Sequence, residues 1–474
     1  MQPQPNVEQE ETIRSPRQVW KTVSNKDISK MAKNNKQNQN KKPAENQKEQ
    51  PKKNVDKLQN NELLRLSTAG SVDDGKSTLI GRLLYDTKSV MKDQYEAVRA
   101  TSKKKGEEEV NLAYLTDGLK SEREQGITID VAYRYFNTAN RKFIISDTPG
   151  HVQYTRNMIT GASKSNVAII LIDARKGISE QTRRHSFIAS LLKIPHVIYA
   201  VNKMDLIDYD EQKFNKIRNQ LKQFSAKLRC NDIRFIPISA LKGDNVTTKS
   251  QKTKWYKGGH LLGMLENIEI FSDNNLVDAR FDIQTVIRPH SDQWHDFRGY
   301  AGKIVSGRFE VGHKVQILPS GFETRIKDMR IYKDDLTEAC TPASVVMQLE
   351  DDIDAGRGDM IARIDNLPKT SQNFDAMICW MSENQMLPRK KYILKHGSNE
   401  VTAMITKKVY TLDVNTFSKA EDQSMKVGLN DIARISIKTS KPINFDPFES
   451  NRANGSFILI DTQTNETIAA GMIK

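Results

Sequence analysis

The sequence predicts an α/β domain built on a mostly parallel sheet, followed by two antiparallel β-barrel domains, and three observations lead there. Five short runs rich in β-branched residues, LLRLSTAG, KFIISDTPG, VAIILIDAR, HVIYAVNKMD and RFIPISAL, alternate with helix-length segments. Near-continuous apolar strands separated by helices indicate a parallel sheet covered on both faces. Each run ends in Gly, Asp, Asn or Ser, and in such sheets ligands bind at the carboxyl ends of the strands. After about Leu276 the pattern turns into short alternating strands punctuated by Gly and Pro, and a second such set follows from Asn373. Compact antiparallel barrels are the economical reading of both.

The 474 residues correspond to roughly three domains at about 150 residues each. Residues 1–60 are rich in Gln, Asn and Lys. They cannot bury enough apolar surface to offset their ordering entropy, so they are expected to form a disordered basic and polar tail. The α/β domain is expected over 61–275, the first barrel over 276–367 and the second over 368–474.

Thirteen Lys or Arg against seven Asp or Glu in the tail account for +6 of the net charge of +14, leaving +8 for the other 414 residues. That mild bias does not select between a nucleic acid and an anionic protein partner. Three cysteines, Cys230, Cys340 and Cys379, are too few and too scattered for a disulfide framework or a zinc site. They read as small core residues in a reducing, cytoplasmic setting. No run of about 18 apolar residues occurs, and no secretory or transit signal is recognisable, so no membrane association is expected.

Gly70-Ser71-Val72-Asp73-Asp74-Gly75-Lys76-Ser77 follows a strand-like run and opens a helical stretch that continues with Thr78. This is the G-x-x-x-x-G-K-[ST] loop in its proper context. Its backbone amides and the helix N-terminus cradle phosphates, Lys76 reaches the β- and γ-phosphates, and the Ser77 hydroxyl ligates Mg²⁺. Three further segments turn a generic P-loop into a GTPase. Asp147-Thr148-Pro149-Gly150-His151 places a carboxylate for Mg²⁺ and an amide, that of Gly150, for the γ-phosphate. Asn202-Lys203-Met204-Asp205 offers a carboxylate to guanine N1 and N2. Ser239-Ala240-Leu241 offers a backbone amide to guanine O6. A site built around the two carboxylate hydrogen bonds rejects the wrong base by about 10⁴–10⁵-fold, because the carboxylate would be left unpaired. The first domain therefore reads as a P-loop GTPase domain.

Thr128, in EQGITI, is the expected switch threonine, completing the Mg²⁺ shell with Ser77 and Asp147 and holding the γ-phosphate through its amide. His151 is expected to position the attacking water, since phosphoryl transfer needs positioning and charge stabilisation more than covalent chemistry. Lys76, Thr128 and His151 are thus the candidate catalytic residues, and GTP and Mg²⁺ the expected ligands. Arg123, Arg156 and Arg183 qualify as stimulating arginines only by chemistry. The charged stretch from Asp86 to Arg123 reads as a partly helical excursion of the first switch. Trp255-Tyr256 reads as a loop before the last helix of the domain, with a partner contact through Trp255 as the alternative.

On these residues the chain resembles the translation-factor class of GTPases, which pair a GTPase domain with two β-barrels. Within that class GSVDDGKSTLIGRLLYD, TDGLKSEREQGITIDVAYRYF, DTPGHVQYTRNMITGAS and ILIDARKGISEQTRRHSFIASLLKIPHVIYAVNKMDLIDY resemble the GTPase subunits of ATP sulfurylase. FRGYAGKIVSGRFEVGHKVQILPSG and DDIDAGRGDMI extend the likeness, which runs from about residue 63 to the last residue, 474, and is weakest in the last barrel. The resemblance implies a complex with a catalytic sulfate adenylyltransferase subunit, in which GTP hydrolysis drives formation of adenylyl sulfate from ATP and sulfate; a nucleic-acid partner is not expected. Val152 departs from the Glu expected after the switch histidine. The alternative is an elongation factor that binds aminoacyl-tRNA and the ribosome. Asp74, where elongation factors usually carry His, and the run RRHSFIASLL speak for the sulfurylase reading. A purely regulatory docking platform stays open at this point.

Overall fold

The computed structural model of the chain describes residues 63–106, 110–116, 131–149, 155–226, 228, 230, 232–289, 297–387, 389–413, 416, 418–421 and 424–474, all within one unit, Leu58–Lys474. The tail expected over 1–60 lies outside them.

The β-branched runs form β1 (Leu63–Ala69), β3 (Lys142–Asp147), β4 (Val167–Asp173), β5 (His196–Asn202) and β6 (Asp232–Pro237), with β2 (Ala132–Asn137) preceding β3. They make one sheet in the order β2-β3-β1-β4-β5-β6. All neighbours run parallel except β2, which is antiparallel to β3. Every residue of β4 is buried, because helices cover both faces of the sheet. Ile169 and Leu171 join a core with Leu79 and Leu83, whereas Ala168, Ile170 and Ile172 join another with Met158, Ile188 and Phe214. Each such buried aliphatic side chain contributes about 1.5–3 kcal/mol.

The helices are α1 (Lys76–Asp86), α2 (Lys92–Lys104), α3 (Thr155–Ala162), α4 (Glu180–Leu191), α5 (Glu211–Ser225) and α6 (Leu261–Glu266). Local chemistry starts several of them. Ser179 caps α4 by accepting from the Thr182 amide at 3.0 Å, and Asp210 caps α5 by accepting from the amides of Gln212 and Lys213. Asp93 in the first turn of α2 and Lys103 and Lys104 in its last complement the helix dipole. That helix, with a 3₁₀ turn at Leu112–Leu115, supplies helical structure in the stretch Asp86–Arg123.

Beyond the parallel sheet the strands are antiparallel. The first set contains β7 (Arg280–Ile287), β8 (Gly299–Ser306), β10 (Lys314–Leu318), β11 (Glu323–Ile331), β12 (Asp334–Leu336), β14 (Ser344–Leu349) and β15 (Met360–Arg363), with β9 (Arg308–Glu310) and β13 (Glu338–Cys340) as a separate pair. Six strands in the order β10-β15-β7-β8-β14-β11 close because β10 also pairs with β11, and β12 is added at one side. The second set contains β16 (Lys369–Trp380), β17 (Lys391–His396), β18 (Asn399–Leu412), β19 (Lys419–Ala420), β20 (Ile432–Phe445), β21 (Ser456–Asp461) and β22 (Thr467–Ile473). It closes in the same way through β17 and β18, with β19 appended. Closure leaves no bare sheet edge within either ring of six.

The last barrel shares a core with the α/β domain. Met377, Cys379, Met381, Ile432, Phe448 and Met472 belong to the same buried cluster as Ile188 and Leu192 at the end of α4. Around it, Arg452 donates to the Ser165 carbonyl at 3.2 Å and Lys193 to the Glu449 carbonyl at 2.9 Å. The two barrels meet through a buried ion pair. Arg280 donates to both carboxylate oxygens of Asp446 at 3.0 and 2.8 Å, and Asn451 and Asn454 donate to the same carboxylate. All three cysteines are free, and Cys379 is buried, its thiol pushed up to about 12 by burial.

Candidate nucleotide site

β1 ends at Ala69, the chain turns through Gly70 and Gly75, and α1 begins at Lys76. Gly75 has φ +90, and a Cβ there would lie 2.4 Å from Asn202 Nδ2, so only glycine fits. The loop braces itself from within. The Ser71 amide donates to Asp74 Oδ2 at 2.6 Å, and the Asp74 amide donates to the Ser71 carbonyl at 3.3 Å. Burial pushes the Asp74 carboxyl up, against the pull of the Ser71 amide and Lys76. Val72 is half-buried and Asp73 exposed.

Lys76 is buried, and its ammonium donates to the carbonyls of Gly70 and Ser71 at 3.0 and 2.9 Å. Burial lowers its pKa, while Asp147, Asp74 and Asp73 raise it. The cation is thus fixed at the mouth of the loop in the field of three carboxylates. The amides of Gly75, Lys76, Ser77 and Thr78 have no acceptor among the described residues, nor do the hydroxyls of Ser77 and Thr78 make a hydrogen bond there. A fan of free amides at a helix N-terminus beside a fixed ammonium is an anion site.

Parallel pairing sets Thr68 opposite Asp147. The Thr68 hydroxyl donates to Asp147 Oδ1 at 3.3 Å, and the Thr148 hydroxyl donates to the Thr68 carbonyl at 2.5 Å. Asp147, Thr148 and Pro149 are buried. Ser77 and Asp147 are hard oxygen donors. Such a sparse set suits Mg²⁺, which takes one or two protein ligands and completes its shell with phosphate and water. Thr128, Gly150, His151 and Val152 lie outside the described residues, as does Arg123. Arg156 lies 3.9 Å from Glu466 of the last barrel, and Arg183 is exposed on α4.

The residues expected to meet the base gather at the tips of β5 and β6. Asn202 points backwards rather than outwards: its Nδ2 donates to the Asp74 carbonyl at 2.8 Å, and its Oδ1 accepts from the Ala240 amide at 2.9 Å. One buried amide side chain therefore joins the phosphate loop to the loop after β6. Of the amides in Ser239-Ala240-Leu241, one of which is expected to meet guanine O6, that of Ala240 is engaged by Asn202, whereas that of Leu241 has no partner among the described residues. Lys203 adopts a left-handed backbone, φ 63, and its ammonium sits 3.1 Å from Asp173. Burial alone would raise the Asp173 carboxyl; hydrogen bonds from Arg175 and Lys203 outweigh it and hold that group well below the usual carboxylate range. Met204 is fully buried, and Asp205 is half-buried in a 3₁₀ turn, its carboxylate making no hydrogen bond or ion pair among the described residues. Ser239 is buried, its hydroxyl accepting from the Lys242 amide at 3.2 Å.

Several contributors were not read from the sequence. Arg82 of α1 donates to the carbonyls of Ala240 (3.2 Å) and Leu241, and neighbouring Asp86 accepts from Thr247 at 2.7 Å. Ser179, legible as a cap from the S-x-x-T spacing, also bonds the Ser71 hydroxyl at 2.8 Å. His185 of α4 is buried, its Nδ1 unpartnered among the described residues. Burial, then the charges of Lys76 and Arg184, push its pKa down to about 3, so the ring is neutral. Trp255 turns inward: it packs on Phe214 at 5.3 Å between centroids and donates to the Tyr209 carbonyl at 3.1 Å.

Comparison with known proteins fits this geometry. Residues 61–285 match the family described as elongation factor Tu GTP binding domain, and residues 373–474 match GTP-eEF1A C-terminal domain-like. The chain is 52% identical to sulfate adenylyltransferase subunit 1 of Bacteroides fragilis (strain YCH46) over 421 residues, 88% of this chain and 87% of that one. It is 53% identical over 412 residues to the bifunctional enzyme CysN/CysC of Mycobacterium tuberculosis (strain ATCC 25618 / H37Rv), covering 87% of this chain and 67% of the relative. Among solved structures, the S. cerevisiae Ski7 GTPase-like domain, bound to GDP and inorganic phosphate, is similar with a TM-score of 0.47 and 17% identity over 88% of this chain and 98% of that one.

Proposed function

The chain belongs to the sulfate adenylyltransferase subunit 1 family, and from that premise we propose that it is the GTP-hydrolysing subunit of an ATP sulfurylase. Its partner is a catalytic subunit that adenylylates sulfate with ATP, and hydrolysis of GTP here drives that unfavourable step. The observation that carries the reading is the base end of the site. An Asp205 carboxylate and a Leu241 amide, each without a partner among the described residues, stand on loops that Asn202 ties to the phosphate loop, in a chain half identical to relatives bearing that name.

The phosphates lie on the amides of residues 75–78, with Lys76 neutralising charge that develops on the transferred group. Ser77, Asp147 and Thr128 would hold Mg²⁺, which supplies electrostatic stabilisation of the phosphate oxygens. His151 orients the attacking water, and the neutral His185 adds no second positive charge beside Lys76. Coupling requires that the GTP and GDP states differ in affinity for the partner, because a ligand moves an equilibrium only by its differential binding. The elongation-factor alternative is set aside by identities near 50% across most of the chain. No helix of the described residues is long and apolar enough to cross a membrane, and a cytoplasmic location is part of the proposal.

The test is GTP turnover by the purified chain with and without the catalytic subunit, ATP and sulfate. Hydrolysis that rises with the partner, with adenylyl sulfate accumulating beyond its GTP-free equilibrium, is the expected result. Turnover indifferent to partner and sulfate but raised by ribosomes would overturn it.

A further inference from the structure

The 3₁₀ turn that carries Asp205 ends in an improbable way. Two consecutive residues, Asp208 and Tyr209, have left-handed backbones, with φ 50 and φ 54. Non-glycine side chains disfavour this backbone, and it persists only where the surroundings over-determine it. Here they do. The Tyr209 amide donates to the Met204 carbonyl at 2.9 Å, closing the turn on itself. The Tyr209 carbonyl accepts from Trp255 Nε1 at 3.1 Å. The Tyr209 hydroxyl donates to Asp244 Oδ2, and the Lys252 ammonium bonds both of them at 3.2 Å while lying 5.0 Å from the centre of the tyrosine ring.

Asp244 belongs to the other base-side loop. Its carbonyl accepts from the Ser239 amide at 3.1 Å, and its Oδ1 accepts from the Ser250 hydroxyl at 2.7 Å. The Asp244 carboxylate thus ties its own segment, 239–244, to 204–209 and to 250–255. Hydrogen bonds to charged groups stabilise more than neutral ones, so this cluster is able to hold two strained residues in place. None of its members bonds Asp74 or Lys76 among the described residues; it ties the turn that carries Asp205 to the loop that carries Leu241.

We propose that Tyr209, Asp244 and Lys252 are positioning residues for guanine specificity, clamping the Asp205 carboxylate and the Leu241 amide at the separation that a purine bearing both N1–H and a 2-amino group requires. The inference rests on the reading of Asp205 as the guanine acceptor. Two hydrogen bonds to one carboxylate tolerate errors of only about 0.5 Å, whereas hypoxanthine, which lacks the 2-amino group, offers one bond and adapts to a looser turn. Loosening the clamp therefore costs guanine more than hypoxanthine.

The experiment uses the full chain and measures competition of GDP and inosine diphosphate against a fluorescent GDP analogue, together with thermal unfolding. Tyr209→Phe removes one hydroxyl and is expected to weaken GDP about 10-fold and inosine diphosphate less than about 3-fold, so that the preference for guanine falls. Lys252→Met, at a largely exposed side chain, leaves the fold intact and is expected to lower the same preference about 3-fold. Equal weakening of both nucleotides with a lowered melting temperature would make the cluster merely structural, and unchanged binding in Lys252→Met would overturn the proposal even if Tyr209→Phe failed to fold. Wild-type protein and Asp205→Ala separate the two levels. If the wild type does not prefer GDP to inosine diphosphate, or Asp205→Ala keeps that preference, the guanine reading itself is wrong.

Discussion

The two ends of the proposed nucleotide site are built on opposite plans. The phosphate end is one contiguous loop whose internal bonds span at most six residues, from Asp74 back to Ser71 and from Lys76 back to Gly70. The base end is assembled from the tips of two strands and a following loop, and its bonds span tens of residues: Asn202 to Ala240, Tyr209 to Asp244, Trp255 to Tyr209. A phosphate is much the same on any nucleotide, so a local nest of amides and one cation serves it. Selecting one base from several demands groups held at fixed separations, and that takes long-range scaffolding.

Removing Asp205 should separate the ends most sharply. Asp205→Ala is expected to lower discrimination for GTP over ATP by about 10⁴-fold, read by competition binding. Selectivity that survived would mean the base end is not organised around that carboxylate. Next in size is a variant outside both ends. Asp446→Asn strips Arg280 of its buried counter-charge and should cost about 3–5 kcal/mol in urea unfolding, with nucleotide affinity little changed. A parallel loss of affinity would show that the site depends on the junction between the barrels. Lys76→Met should remove about 1.5–3 kcal/mol of charge-assisted binding, a loss of about 10–150-fold. That loss should fall equally on GDP and inosine diphosphate; an unequal loss would break the division of labour between the ends.

The smallest effect belongs to the far end of β5. His196 lies between Asp232 and Asp273, 2.9 Å from each. Burial lowers its pKa, but the two carboxylates outweigh this and raise it above the ordinary 6.5. Because the folded value is raised, the stabilisation is complete below 6.5 and fades as pH rises through the folded pKa. The melting temperature should decline over that window, by an amount equivalent to about 1 kcal/mol or less, and His196→Gln should flatten the decline while leaving guanine selectivity intact.

How much was legible follows the same division. Residues 70–78 announce themselves because a nest of amides needs glycines and a lysine at fixed short spacing. Asn202-Lys203-Met204-Asp205 is legible for a similar reason. The work of Asn202 was not, since its partners are the carbonyl of Asp74 and the amide of Ala240, and no local pattern encodes an approach of 128 residues. Arg82, Tyr209 and Lys252 look like ordinary helix and loop residues until the strands set them side by side. Trp255, open to reading as a partner contact, turned inward because Phe214 and the Tyr209 carbonyl offered it an apolar face and an acceptor. Each closed barrel was legible as alternating strands; its closing pair, β10 with β11 and β17 with β18, was not, because alternation says which face is buried but not which strands meet.

The bond network of Asn202 also bears on how a spent nucleotide leaves. One side chain grips the loop under the phosphates and the loop beside the base, and Gly75 leaves it no slack, with room for no atom beyond Cα at the point of contact. Neither loop can swing away without dragging that amide and straining the other. The two loops are therefore coupled mechanically, and under the proposed function release of GDP is expected to follow a single exponential.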